Sequence, residues 1–405
     1  DQERHHRGKV VSSEGRFDWG SFGQLLISLL GMLTGLGGAA LFAITALTVL
    51  SDPAAPRDQL NGILTLAWGG LLVTALCLPS ALLAMRALMG RVPLMQTGKR
   101  SLAFASLLLL AWPAVLLLAR MAANSSMAWL FLPPLLIGVV GIPVLWLTTA
   151  ARSGLPAESA QRRWGVASFG LVVSPALIVL LQFVVLFLAL IVFGVWLMGQ
   201  PGILAELQAL TQSFTLQSDP NQVLRLLQPY LEQPGVLALG LIFISGLVPL
   251  MEELLKPLGV WFLAGRRLTP AAGFSAGVLS GGMFALLESL GYLASASADG
   301  FIVFALARTG TVLLHIATAG LVGWGLGSAF SEKRYLRLAL AYLGAVLLHG
   351  AWNAAGILPA LAELPGLPEQ VRSLAALAPY ALGGLGLILA AILIGMNRRL
   401  RTPAA

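Results

Sequence analysis

Ten stretches of this chain run for about 18 residues or more with almost no charged side chain, and that pattern constrains the fold more than any motif does. A helix rises 1.5 Å per residue, so about 20 apolar residues cross the hydrocarbon of a bilayer. There, every backbone N–H and C=O must be satisfied inside the segment, which leaves the helix as the natural solution. The spans read as Phe22 to Leu50, Leu60 to Met85, Leu102 to Ala119, Ala128 to Ala150, Gly165 to Met198, Val236 to Ala264, Pro270 to Ala294, Phe301 to Phe330, Leu338 to Leu358 and Ala378 to Met396. Several exceed the crossing length and are expected to tilt, kink or project. With 58% hydrophobic and 10% charged residues, the chain has the composition of a membrane protein. The expected class is all-α: a polytopic helical membrane protein of about ten transmembrane helices. Cys77 has no second cysteine to pair with, so it carries no message about redox compartment.

The charges between the spans test this count. With both termini inside, the cytoplasmic segments hold 19 basic residues, among them Arg152, Arg162, Arg163, Arg266 and Arg267. The outer segments hold 4, namely Arg57, Arg120, Arg225 and Arg372. That imbalance is the signature of cytoplasmic loops. The net charge of +8 is therefore a topology device with some attraction to anionic lipid, and nucleic acid is excluded as a partner. The polar start, with His5 and His6, reads as a solvated tail without a cleavable signal peptide.

The two halves differ in kind. Spans one to five carry no Asp, Glu, Lys, Arg or His, while spans six to nine carry Glu252, Glu253, Lys256, Glu288, Arg308, His315 and His349. The expected organisation is a cytoplasmic tail (1–21), a five-helix scaffold (22–198), an outer linker (199–235), a chemical core in the C-terminal half (236–358), and a final loop, span and basic tail (359–405). The linker has Leu and Phe at helical spacing, as either an amphipathic surface segment or a lid over a substrate.

Within the core the densest point is Met251-Glu252-Glu253-Leu254-Leu255-Lys256-Pro257. A charge at the bilayer centre costs roughly 2.5 to 3.5 kcal/mol, so three in five residues require partners. Glu252 and Lys256 are four apart on one helical face, with Glu253 about 100° round. Pro257 removes the partner of the Glu253 carbonyl, and Pro249 that of Ser245, so kinks are expected on both sides of the carboxylates. Freed backbone in lipid is tolerated only beside protein or a wet cavity. In span seven, Gly273, Gly277 and Gly281 form a stripe for close helix approach, with Phe284 and Glu288 continuing near that face. Arg308 and His315 lie two turns apart in span eight. His349 and Asn353 share a face in span nine. Each group alone has a packing explanation: a buried ion pair, a satisfied core histidine. Their concentration in four successive spans points instead to one shared site.

Clustered carboxylates in a poorly solvated site can divide the work of acid and base and so activate water. Histidine and asparagine on a facing helix can orient that water or stabilise an oxyanion. The same ligands could hold a metal. No HExxH occurs, and the GxSxG string at Gly273 to Gly277 falls inside an apolar helical span instead of the strand-to-helix turn that marks a serine nucleophile, which leaves water-mediated hydrolysis as the leading enzymatic reading. A proton- or ion-coupled transporter also uses intramembrane Glu and His. It commonly builds its site between matching repeats, and here the N-terminal half has no charged counterpart. A noncatalytic regulatory protein that retains the pocket is the third possibility.

Glu252-Glu253-Leu254-Leu255-Lys256 matches an EExxK motif and Phe284-Ala285-Leu286-Leu287-Glu288 an FxxxE motif. Arg308 through His315 to Gly320, and His349 to Asn353, match the two histidine helices that follow. In this the chain resembles the PrsW-type intramembrane proteases, relatives of the CAAX prenyl endopeptidases, over about Val236 to Leu358. Glutamate in the FxxxE, where CAAX endopeptidases typically have histidine, favours the PrsW branch. The resemblance implies that Glu252 or Glu253 activates water, that Glu288 and His315 complete the water or metal site, and that His349 and Asn353 support the oxyanion. Lys256 and Arg308 would hold the carboxylates, with Phe284 supporting. It leaves metal dependence open: no cofactor, or a zinc ion on Glu252, Glu288, His315 and His349. It further implies a membrane-embedded protein substrate, single-pass in kind, in a bacterial plasma membrane. The positions of Glu252, His315 and His349 near mid-span and of Glu288 nearer the outer end of span seven lead to an expected cut in its outer half.

Overall fold

The computed structural model describes residues 18–52, 59–91, 99–205, 208–209, 228–264, 268–294, 301–362 and 369–401. Most of the linker, the Arg266-Arg267 turn and the tail with His5 and His6 lie outside the described residues. The described residues are helical, without strands, and ten helices are long and apolar enough to cross a membrane. In chain order these are α1 (Trp19–Ser51), α2 (Gln59–Leu88), α3 (Lys99–Ala123), α4 (Ala128–Arg152) and α5 (Ala160–Met198). After the linker come α6 (Pro234–Leu255), a one-turn α7 (Leu258–Trp261), α8 (Pro270–Ala294), α9 (Phe301–Glu332), α10 (Tyr335–Ala362) and α11 (Glu369–Leu400). The chain is an integral multi-pass membrane protein.

Neighbours in sequence pair in space: α1 with α2, α3 with α4, α8 with α9, and α9 with α10. The N-terminal helices meet the C-terminal ones chiefly where α4, α5 and α2 lie against α8. α8 is the most enclosed of the ten and α5 the least. Around that centre, Leu136, Val139 and Val144 of α4 join Phe274, Val278 and Ala285 of α8, and Val312, Leu314 and Ile316 of α9, in one buried apolar cluster. Leucines, valines and phenylalanines on the outer faces remain exposed, as a surface solvated by acyl chains requires.

The glycine stripe of α8 does what its spacing predicts. A Cβ on Gly273 would stand 2.2 Å from the Gly323 carbonyl oxygen, one on Gly277 2.1 Å from that of Ala319, and one on Gly281 2.2 Å from that of His315. All three are far inside contact distance, so α8 and α9 touch backbone to backbone, and the α9 histidine is set by that contact. The adjacent Gly282 faces the other way, where a Cβ would meet Thr148 of α4 at 2.4 Å.

Two of the helices contain one wide turn each. α5 opens into a π turn at Phe169–Val173 and α6 at Phe243–Leu247. The second lies just before Pro249, and there the Ser245 carbonyl is met by Gly350 of α10, where a Cβ would stand 2.2 Å away. The helix then ends at Leu255 and restarts at Leu258, around Pro257. The kinks expected on both sides of the carboxylates are thus present, one as a π turn and one as a break.

Candidate active site

Lys256 sits at the middle of the cluster. It is fully buried, and its Nζ donates to Glu253 Oε1 at 2.5 Å, lies 2.8 Å from His315 Nδ1 and 3.4 Å from His349 Nδ1, and approaches Glu252 Oε2 at 3.6 Å. Its backbone carbonyl, at the helix break, accepts hydrogen bonds from Ser280 Oγ at 2.6 Å and Ser174 Oγ at 3.3 Å. Two hydroxyls on other helices therefore satisfy the backbone that the break exposes. The sequence pairs Lys256 with Glu252 at four residues, whereas the structure gives the closer contact to Glu253 at three. Both offsets are neighbours on a helix, and the side chain leans to the carboxylate that His349 also engages.

The remaining groups close around it. Glu253 is fully buried, and its Oε1 lies 2.7 Å from His349 Nδ1. Glu252 is 6% exposed; its Oε1 accepts a hydrogen bond from Gln182 Nε2 at 3.1 Å, and its Oε2 faces His349 Nε2 across 3.8 Å. Glu288 Oε2 lies 2.8 Å from His315 Nε2 and accepts from Arg308 at 2.7 Å. Arg308 also donates to Ser289 Oγ and stacks over the Tyr292 ring, its guanidinium carbon 4.5 Å from the ring centre. The Phe284 ring meets His315 edge-on at 5.1 Å, and the two imidazoles meet edge-on at 5.2 Å. Phe284 is thus an apolar wall of the cluster. Asn353, one turn beyond His349, donates its amide to the Ile244 carbonyl at 3.0 Å and ties α10 to the π turn of α6.

The structure thus brings all the ionisable groups of spans six to nine into one continuous network. Glu288 and Arg308 enter it through His315, while Glu252 and Glu253 join through Lys256 and His349. Three further residues were not singled out from sequence. Gln182 lies on α5, in a region read as scaffold, and it is the residue by which that helix reaches Glu252. Ser174 and Ser280 are the other two. None belongs to a motif. A neutral glutamine inside the long apolar run of α5 is the one signal that pointed to Gln182, since a buried amide needs a partner. A cavity of about 620 Å³ lies elsewhere, between Asp18, Gln24, Arg162, Phe169 and Phe262, and none of the cluster lines it.

The donor set suits a divalent metal. Glu252, His315 and His349 each offer a ligand atom within 4.8 Å of the others, the two-histidine, one-glutamate count of many catalytic zinc sites. Glu252 Oε2 is buried with no hydrogen-bond partner among the described residues. Three carboxylates face two cations, so an added positive charge is electrostatically reasonable. The nearness of the Lys256 ammonium is the opposing term.

With this geometry in hand, comparison with known proteins is specific. No curated protein and no solved structure matches the chain. Residues 164–380, more than half of it, match the family described as PrsW family intramembrane metalloprotease. The match begins within α5, upstream of the motifs read from sequence, and so includes Gln182 with the carboxylate and histidine helices. The chain belongs to the PrsW family of intramembrane metalloproteases and is an intramembrane protease.

Proposed function

We propose that the enzyme hydrolyses peptide bonds of membrane-embedded, single-pass protein substrates with a water activated by Glu252. The observation that carries this is the pairing of Glu252 Oε2 with His349 Nε2 across 3.8 Å in a buried site, the oxygen having no hydrogen-bond partner among the described residues. Two acceptors that face each other at that distance suit a water between them, donating a proton to each. Its free lone pair then points outward to a substrate carbonyl. As the water oxygen bonds to the carbonyl carbon, Glu252 takes a proton. As the carbon–nitrogen bond breaks, Glu252 returns that proton to the leaving amine.

The surrounding residues fix this geometry. Gln182 holds Glu252 by its other oxygen, which leaves Oε2 for the water. Glu253 holds His349 from its Nδ1 side, and Lys256 holds Glu253. Asn353 is engaged with the Ile244 carbonyl and sets α10 against α6, an arrangement that suits positioning of His349. A zinc ion, when bound, would draw on Glu252 and His349, polarising the carbonyl and acidifying its water. The charge pattern of the loops supports cytoplasmic termini.

The test uses purified protein in detergent with membrane-spanning peptides, comparing wild type, Glu252→Gln and Glu253→Gln, each with and without a strong chelator. Glu252→Gln keeps size and removes basicity, and it is expected to lose at least 10²-fold in turnover, the scale of general-base catalysis. Equal cleavage by wild type and a normally folded Glu252→Gln would overturn the assignment. Activity lost to the chelator and restored by zinc assigns the metal.

A further inference from the structure

Both site imidazoles are held by groups whose hydrogen-bonding sense is fixed, and that determines which of their four nitrogens is free. A lysine ammonium donates and never accepts, and an ionised carboxylate accepts and never donates. His315 Nδ1, 2.8 Å from Lys256 Nζ, must accept. Its hydrogen therefore resides on Nε2, which donates to Glu288 Oε2 at 2.8 Å. His349 has the opposite arrangement. Its Nδ1 lies 2.7 Å from Glu253 Oε1, an acceptor, and further, 3.4 Å, from Lys256 Nζ. A lone pair on Nδ1 would face the carboxylate oxygen at close range, so that nitrogen carries the hydrogen. The lone pair is then on Nε2, which faces Glu252 Oε2.

We infer that Lys256 and Glu253 together fix opposite tautomers in the two histidines, Lys256 as the positioning residue that donates to His315 and Glu253 as the acceptor from His349, leaving His349 Nε2 as the single free imidazole lone pair of the site. His315 becomes a proton donor held on Glu288 and is withdrawn from the ligand set. The carboxylate–imidazole arrangement Glu253–His349 is the one that orients ligating histidines in metal sites and raises their basicity. Charge compensation alone does not require this placement, since an ammonium bonded only to Glu252 and Glu253 would neutralise as well. What the position of Lys256 adds is its contact with His315 Nδ1. The inference deepens the function proposed above and rests on it for what His349 does with its lone pair. The tautomers themselves are measurable whether or not the protein cleaves a peptide.

The chain has four histidines, so the measurement is tractable. Full-length protein labelled with ¹⁵N-histidine and carrying His5→Gln and His6→Gln shows only the two site rings in solid-state NMR of lipid-reconstituted samples. His315→Gln and His349→Gln assign them. The expected spectrum has one ring protonated at Nδ1, His349, and one at Nε2, His315. Lys256→Met should release His315 into a mixture with the Nδ1–H form, while Lys256→Arg, which keeps a donor, should hold it. Zinc titration should shift His349 Nε2 and leave His315 unshifted. Two rings with the same tautomer in the wild-type spectrum would overturn the inference even if no Lys256 variant folds. So would an unchanged His315 in a folded Lys256→Met, or His315 responding as the zinc ligand. Inactive Glu252→Gln with intact opposite tautomers supports both readings. Fully active Glu252→Gln with the same tautomers removes the proposed base and leaves the tautomer assignment standing.

Discussion

Gly281→Ala reaches the geometry of the candidate site without replacing any polar side chain. The new Cβ would stand 2.2 Å from the His315 carbonyl oxygen and 2.8 Å from Ala319 Cβ. Ordinary contact begins near 3.4 Å, so α8 and α9 must part locally by about 1.2 Å, and neither obstacle is the flexible end of a side chain. Overpacking of this kind costs about 1 to 3 kcal/mol. Because the obstructing carbonyl belongs to His315 itself, the same displacement moves the imidazole relative to Lys256 and Glu288. A misplacement of about 1 Å can cost 10²-fold in rate. Gly291→Ala is the control on the same helix, since a Cβ there meets nothing within 4 Å and alanine is the better helix former. Thermal unfolding in detergent and cleavage of a membrane-spanning peptide are the two assays. The expected result is a less stable protein with about 10²-fold lower activity for Gly281→Ala, and unchanged or slightly raised stability with full activity for Gly291→Ala. Wild-type stability and turnover in Gly281→Ala would refute the claim that the glycine stripe sets His315.

Arg308→Met should leave Glu288 without its guanidinium and destabilise the fold by about 3 kcal/mol, as removal of one partner of a buried pair does. Adding Glu288→Gln should recover part of that loss in thermal unfolding. Gln182→Leu removes the donor to Glu252 Oε1 and is expected to lower kcat by about 10-fold with KM unchanged, the scale of a lost supporting contact to a ligand. A rise in KM with kcat intact would instead place Gln182 in substrate binding. Because the one native cysteine, Cys77, is buried, single cysteines added at Gln233 and Arg401 should report topology by labelling from opposite sides of the membrane. Labelling of both from the same side would overturn the ten-span orientation.

How much of this was legible in sequence follows from which interactions are local. The ten crossings, the breaks at Pro249 and Pro257, and the close-packing stripe of α8 depend on properties within one segment: length, a missing N–H, a repeat of four. They could be read residue by residue. That Glu252, Glu253, Glu288, His315 and His349 form one site was legible because charge in lipid is too costly to leave scattered. The internal order of that site was not. Whether Lys256 leans to Glu252 or Glu253 depends on where His349 approaches from the facing helix. Gln182 is one neutral side chain in the long apolar run of α5, and only the packing of α5 against α6 brings it to Glu252. Ser174 and Ser280 matter because the helix breaks at Lys256, and no pattern of serines announces where a broken carbonyl will lie. The backbone contact between Gly350 and Ser245 is hidden for the same reason. A glycine beside a histidine says nothing of what it meets.

The central claim is that water, directed by Glu252 and His349, attacks the peptide bond without an acyl bond to the protein. Single-turnover cleavage in H₂¹⁸O with enzyme in excess tests it most directly, with mass spectrometry of both the peptide product and the enzyme fragment containing Glu252 and Glu253. The account predicts one ¹⁸O in the new C-terminal carboxylate of the product and none in the carboxylates of the enzyme, with the labelled product absent for Glu252→Gln. Label in Glu252 or Glu253 after one turnover would show that a carboxylate acts as the nucleophile, and would contradict the account.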